Sequence, residues 1–177
     1  MFDLHRWLEH LPETSRHEAL ERARQLALAH DDPTTAATLL LDIGDDDAAE
    51  AKLLAEPGRI NGENYGALLP LAQELKSRQR LRGETAIYRA LLTAILDRAY
   101  ARAYGHAARY WARLREIAPT GTSLLPLESH EHFEAGIRAR HARKVAFWAY
   151  VNGTRSDSAD EDEHDGDASL NRRLPAK

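Results

Sequence analysis

Apolar residues recur every three or four positions along most of the chain, and helix-stopping residues divide them into blocks. Leu4, Trp7, Leu8 and Leu11 share one face of a short helix over 2–11, closed by Pro12. Thr14 or Ser15 is placed to cap a second helix over 16–30, with Leu20, Ala23 and Ala27 on its apolar face. Asp32-Pro33 reads as a cap followed by a first-turn proline, so a third helix covers 33–43 and Gly44 ends it. Asp45, Asp46 and Asp47 open a fourth over 48–56, where carboxylates complement the helix dipole. Pro57-Gly58 stops that helix, and Asn61-Gly62 is a turn. Longer blocks follow at 64–80, 84–101 and 106–118, with Gly83 and Gly105 read as the breaks between them. Tyr65, Leu68, Leu69, Leu71, Ala72 and Leu75 carry the first of these blocks, and Pro70 inside it predicts a kink or a shifted first turn. Phe133, Ile137, Val145 and Trp148 form the stripe of a last helix over 127–151, ended by Asn152-Gly153.

About eight helices joined by short turns predict an all-α fold of antiparallel helical hairpins, stacked as a tetratricopeptide-like or irregular α-solenoid. Against a repeat of about 34 residues, Leu91, Ala94, Ile95, Ala107, Trp111 and Leu114 fall at the large and small positions of one hairpin. Composition agrees: 30 alanines and 25 leucines stand against 6 isoleucines and 2 valines, which leaves little from which to build a sheet. The absence of cysteine excludes disulfides, cysteine-ligated zinc and thiol catalysis. No apolar run approaches the roughly 18 residues of a membrane span, and the first residues lack the order of a secretory signal. A cytoplasmic protein with one domain over 1–151 and a disordered acidic tail over 152–177 is the expectation.

Net charge sharpens this picture once it is divided. The total of −4 splits into −8 over 1–56, +7 over 57–151 and −3 over 152–177. The segment 76–115 holds 10 bases and only Glu84 and Asp97 as acids. Nine of those bases are arginine, which suits bidentate contacts to carboxylate or phosphate. The plainest account is a solvated face that pairs with residues 1–56 or with the tail. The functional account is a binding surface in which Arg98, Arg102, Arg109 and Arg113 supply charge and Tyr104, Tyr110 and Trp111 supply area, with His106 beside them. Its partner would be an acidic segment of another protein, or nucleic acid held by the same arginines and aromatics. His106 also fits a simpler role, packing against Tyr110 across a turn.

The stretch Tyr88-Arg-Ala-Leu-Leu-Thr-Ala-Ile-Leu-Asp-Arg-Ala-Tyr100 leads into Ala103-Tyr-Gly-His-Ala-Ala-Arg-Tyr110, and Ile137-Arg-Ala-Arg-His-Ala-Arg-Lys-Val-Ala-Phe-Trp148 closes the domain. These runs resemble a bacterial helical family of unknown function, some of whose members resemble proteins with a SWIM-type zinc finger. The resemblance spans roughly residues 7–150 and matches the C-terminal portion of longer members. It implies a helical-repeat fold and no established activity. The finger's cysteines are absent, so no zinc function is implied.

Other chemistry is sparse. His130 with Glu134, and Glu134 with His141, have helical spacings that could hold a metal with help from elsewhere, which makes a metal-dependent enzyme the third reading. His141 falls on the apolar stripe and fits a packing role better. The acidic run from Asp160 to Asp167 fails as a calcium loop, because Arg172 stands where a bidentate glutamate is required. No phosphate-binding glycine loop and no nucleophile elbow occurs. The expectation is a non-enzymatic interaction module with no cofactor.

Overall fold

A computed structural model describes residues 12–117 and 123–154. Every regular element among them is helical. The α-helices are α1 (Glu13–Ala29), α2 (Pro33–Asp42), α3 (Asp46–Ala55), α4 (Tyr65–Ser77), α5 (Leu81–Asp97), α6 (Tyr104–Ile117), α7 (His130–His141) and α8 (Val145–Val151). Single 3-10 turns cover Pro57–Arg59 and Ala101–Ala103. The expected helix over 2–11 and most of the acidic tail lie outside the described residues.

Several starts follow the sequence chemistry. Asp32 accepts from the Thr35 N–H, and Pro33 occupies the first turn of α2. Asp45 caps α3 by accepting from the Ala48 N–H at 3.1 Å, while Asp46 and Asp47 lie in its first turn. Ser129 caps α7 through the His132 N–H. The helix α1 departs from expectation: it starts at Glu13 behind Pro12, and no side chain caps it.

The ends of α4 and α5 correct two glycine readings. Gly83 and Gly105 lie inside α5 and α6 and break nothing. The chain turns instead at Gln79 (φ 59°) and Ala99 (φ 53°). At each, the next N–H bonds back five residues, Arg80 to the Leu75 carbonyl and Tyr100 to the Ile95 carbonyl. That is the Schellman closure, with a side chain in the left-handed position glycine usually holds. Gly44 (φ 84°) and Gly153 (φ 70°) close α2 and α8 in the same way.

The final helix also differs. One helix was expected over 127–151, but the chain forms α7 and α8 with a turn at 142–144, where Lys144 N–H bonds the His141 carbonyl. The break changes which residues face inward. Val145 is 75% exposed, and Phe147 is fully buried in its place. Phe147 packs edge-on against Tyr104 and Trp111, and Trp148 packs edge-on against Trp111.

Neighbouring helices pack as α1–α2, α2–α3, α4–α5 and α5–α6. Layers join through α2–α4, α3–α5 and α6–α8. Each hairpin thus stacks on the next, as in a helical-repeat fold. One core of leucine, alanine and aromatic side chains runs through it, including Leu40, Leu53, Leu68, Leu75, Leu92 and Leu114. No helix among the described residues is long and apolar enough to cross a membrane.

Candidate functional site

The basic segment divides when it folds. Arg78, Arg80 and Arg82 stand in and after the α4–α5 turn, which lies against the acidic start of α3. Arg78 reaches Asp46 at 2.7 Å and also holds Glu74, Arg80 pairs with Asp46 and Asp47, and Arg82 reaches Glu50 at 2.7 Å. Glu50 does more than pair. Its Oε1 accepts from the Arg82 and Gly83 backbone N–H groups, at 3.1 and 3.0 Å. Those donors belong to the first turn of α5, which has no capping side chain of its own. A buried carboxylate on α3 therefore satisfies the open N–H groups of α5 and lies at the positive end of its dipole. Gly83 sits close under both neighbours: a Cβ there would press on Leu75 Cδ2 at 3.2 Å and come into contact with Glu50 Cγ at 3.4 Å.

Four of the sequence-derived binding residues are spent on packing. Tyr104 and Trp111 are buried beneath α8, and Tyr110 packs at 5.6 Å against Tyr88 with only its edge left in contact with the surface. Arg113 donates to Glu84, an acid on α5 that is 2% exposed, at 2.8 Å, and also reaches Glu116. The burial of Glu84 makes that pair a structural tie between α5 and α6.

Three of the others converge. Arg98, Arg102 and His106, with Tyr110, line a cavity of about 340 Å³ between α4, α5 and α6, and Arg109 is not among its lining residues. Leu69, Leu91 and Ile95 form its apolar floor. Arg98 pairs with Glu63 at 3.2 Å across an exposed gap, and Arg109 donates to His106 Nδ1 at 2.8 Å. Two aromatic residues complete the rim, Tyr65 and Tyr100, 67% and 56% exposed. Tyr65 was expected on the buried stripe of its helix. It is the first residue of α4, where side chains do not yet have a preceding turn to pack upon.

A larger groove, about 850 Å³, lies on the adjoining face of α5. Ala86, Ala90 and Ala94 lie along it, the 57–63 loop forms one wall, and Leu127 and Phe133 form another. Gly62, Glu63, Ala94 and Arg98 line both hollows. The loop runs so close to α5 that a Cβ on Gly62 would overlap the Ala90 carbonyl. Arg89 is buried at the edge of the groove, with no ion-paired carboxylate among the described residues. Its guanidinium donates to the Glu128 and Ser129 carbonyls and lies 4.5 Å from the centre of the Phe133 ring. It thereby fastens the approach to α7, and burial lowers its pKa.

The metal candidates stay apart. His130 Nε2 lies 3.8 Å from Glu134, and His141 Nε2 lies 3.2 Å from Asp97 on α5. No group of three potential ligands occurs among the described residues. Both ring nitrogens of His130 are buried without a hydrogen-bond partner among the described residues. Burial, the largest influence on each, pushes the His130 and His141 pKa values down, and the pull of Glu134 and Asp97 opposes it.

Comparison with known proteins adds a family of unknown function. A family model described as a family of unknown function, DUF6880, matches residues 2–150. No curated protein and no solved structure matches.

Proposed function

The chain belongs to the DUF6880 family of unknown function, and from that premise we propose that it is a non-enzymatic interaction module of the cytoplasm whose α4–α5–α6 cavity receives an acidic segment of another protein. One observation carries this reading. Arg98, Arg102 and His106 stand around an apolar floor with two exposed tyrosines on the rim. An acidic segment carrying one or two apolar side chains would meet both features, with the side chains on Leu69, Leu91 and Ile95 and the carboxylates on the arginines. Exposed tyrosine supplies contact area at low cost in side-chain entropy.

Nucleic acid is the second reading, favoured by Tyr65 and Tyr100 beside the arginines, where bases could stack. The apolar floor supports the peptide more, since phosphate gains nothing from it. Fluorescence anisotropy separates the two. A labelled peptide of glutamate and leucine, about a dozen residues long, should bind the full chain, and Arg98→Glu with Arg102→Glu should weaken it about tenfold. A labelled single-stranded oligonucleotide should bind more weakly. Tighter binding of the oligonucleotide, with affinity falling log-linearly with salt, would reverse the order. Failure of both probes would overturn the module reading.

A further inference from the structure

We propose that the acidic run of this chain's own C-terminal segment, Asp160 to Asp167, docks on the basic corner where α7 turns into α8. This goes beyond the cavity reading and stands whether or not an outside partner exists. The corner is built from Arg140 at the end of α7, Arg143 in the turn, and Lys144 ahead of α8. Arg140 and Arg143 are exposed and Lys144 is half-buried. None of the three has an ion-paired carboxylate among the described residues, although Arg140 donates to the Gly136 carbonyl on its own helix. Asp97 on α5 is engaged with His141, the last residue of α7. Other bases of the fold do have carboxylate partners: Arg24 with Asp45, Arg78, Arg80 and Arg82 with α3, Arg113 with Glu84, and Arg138 with Glu134. Arg89 and Arg102 also lack an ion-paired carboxylate among the described residues; what sets this corner apart is that its three bases fall within the single stretch 140–144, at the start of the helix that leads into the acidic run.

The chain supplies that counter-charge nearby. Residues 155–177 contain seven acids, six of them between Asp160 and Asp167. Reach is not limiting. The helix α8 is seven residues, about 10 Å long. Thr154 bonds back to the Ala149 carbonyl, so the described chain stops close beside the end of α8. From Thr154 to Asp160 an extended chain spans up to about 20 Å, which covers the return along α8 to Lys144. A tether this short holds the acidic run at millimolar effective concentration, so individually weak charge contacts suffice. The arrangement shields the corner at low salt and yields to added salt or to a stronger polyanion.

Zero-length carbodiimide coupling of the full chain tests this, because it joins a lysine amine to a carboxylate only when the two touch. The expected product is an amide from Lys144 to an acid between Asp160 and Asp167, within one chain, lost at high salt. Arg140→Glu with Arg143→Glu keeps the reporting amine and should abolish the product. An isotope-labelled mixture giving the amide between chains would overturn the proposal in favour of a second copy. Coupling of the run only to Lys52, Lys76 or Lys177, or no coupling at low salt, would overturn it outright. None of these outcomes depends on whether the cavity binds an acidic peptide.

Discussion

Glu50 shows how one side chain can hold a solenoid together. It is a buried acid, and it accepts from two backbone N–H groups and the Arg82 guanidinium. Removing it leaves a buried N–H and a displaced arginine, so Glu50→Ala should cost about 3 kcal/mol in urea unfolding. Glu50→Gln, which keeps an acceptor oxygen, should cost less. Buried His141 and half-buried His130 give stability a pH dependence with a definite sign. Burial lowers the His130 and His141 pKa values in the fold, so below about pH 6.5 the unfolded chain binds more protons. Their contribution is full above that pH and declines as pH falls toward the lowered values. The groups facing them are Glu134, Glu131, Arg89 and Arg115 for His130, and Asp97, Lys144 and Arg140 for His141. The urea midpoint should be lower at about pH 5.5 than at about pH 7.5, and His130→Gln with His141→Gln should flatten the difference. Asp45 titrates in a separate window. The Arg24 hydrogen bond, its largest influence, lowers its pKa, so its contribution is lost only as pH falls through the carboxylate range.

At the scale of elements, the sequence announces helices well and their ends unevenly. Asp32-Pro33, Gly44 and Asn152-Gly153 are read correctly because the side chain or the conformational freedom that makes the boundary sits at the boundary. Gln79 and Ala99 carry no such signal, and the nearby glycines divert attention from them. Gly83 lies where α5 packs closely on Leu75 and Glu50, a long-range need that no local pattern displays. The α7–α8 break is hidden for a related reason. It contains neither glycine nor proline, and it exists to bring Phe147 rather than Val145 into the core. Two substitutions check these roles. Ala99→Gly should stabilise the fold by about 1 kcal/mol, since it relieves a left-handed side chain at a helix end. Gly62→Ala should cost about 3 kcal/mol or more by forcing the 57–63 loop away from α5, while Gly58→Ala, with open space around it, serves as the control. Thermal unfolding of the three variants reads out both effects.

For the whole molecule, the alternation of acidic, basic and acidic segments resolves into a division of labour. Arg78, Arg80 and Arg82 answer the carboxylates of α3 and lock successive hairpins. Arg98 and Arg102 instead rim the cavity with His106. Charge counting along the chain detects the imbalance but cannot separate these groups, because the separation depends on which turn lies against α3. Arg98, Arg102 and His106 were legible as a cluster from their spacing. Tyr104 and Trp111 looked equally suitable, and only the packing of α8 shows that they are core. The central claim is that the binding surface is this cavity rather than the basic segment as a whole. Its most direct test is an amide correlation spectrum of the labelled protein titrated with the glutamate–leucine peptide. The account predicts saturating shifts clustered at Tyr65, Leu69, Ile95, Arg98, Tyr100, Arg102 and His106, with 78–82 unmoved. Shifts centred on 78–82, or on the Ala86–Ala90 groove, would contradict it.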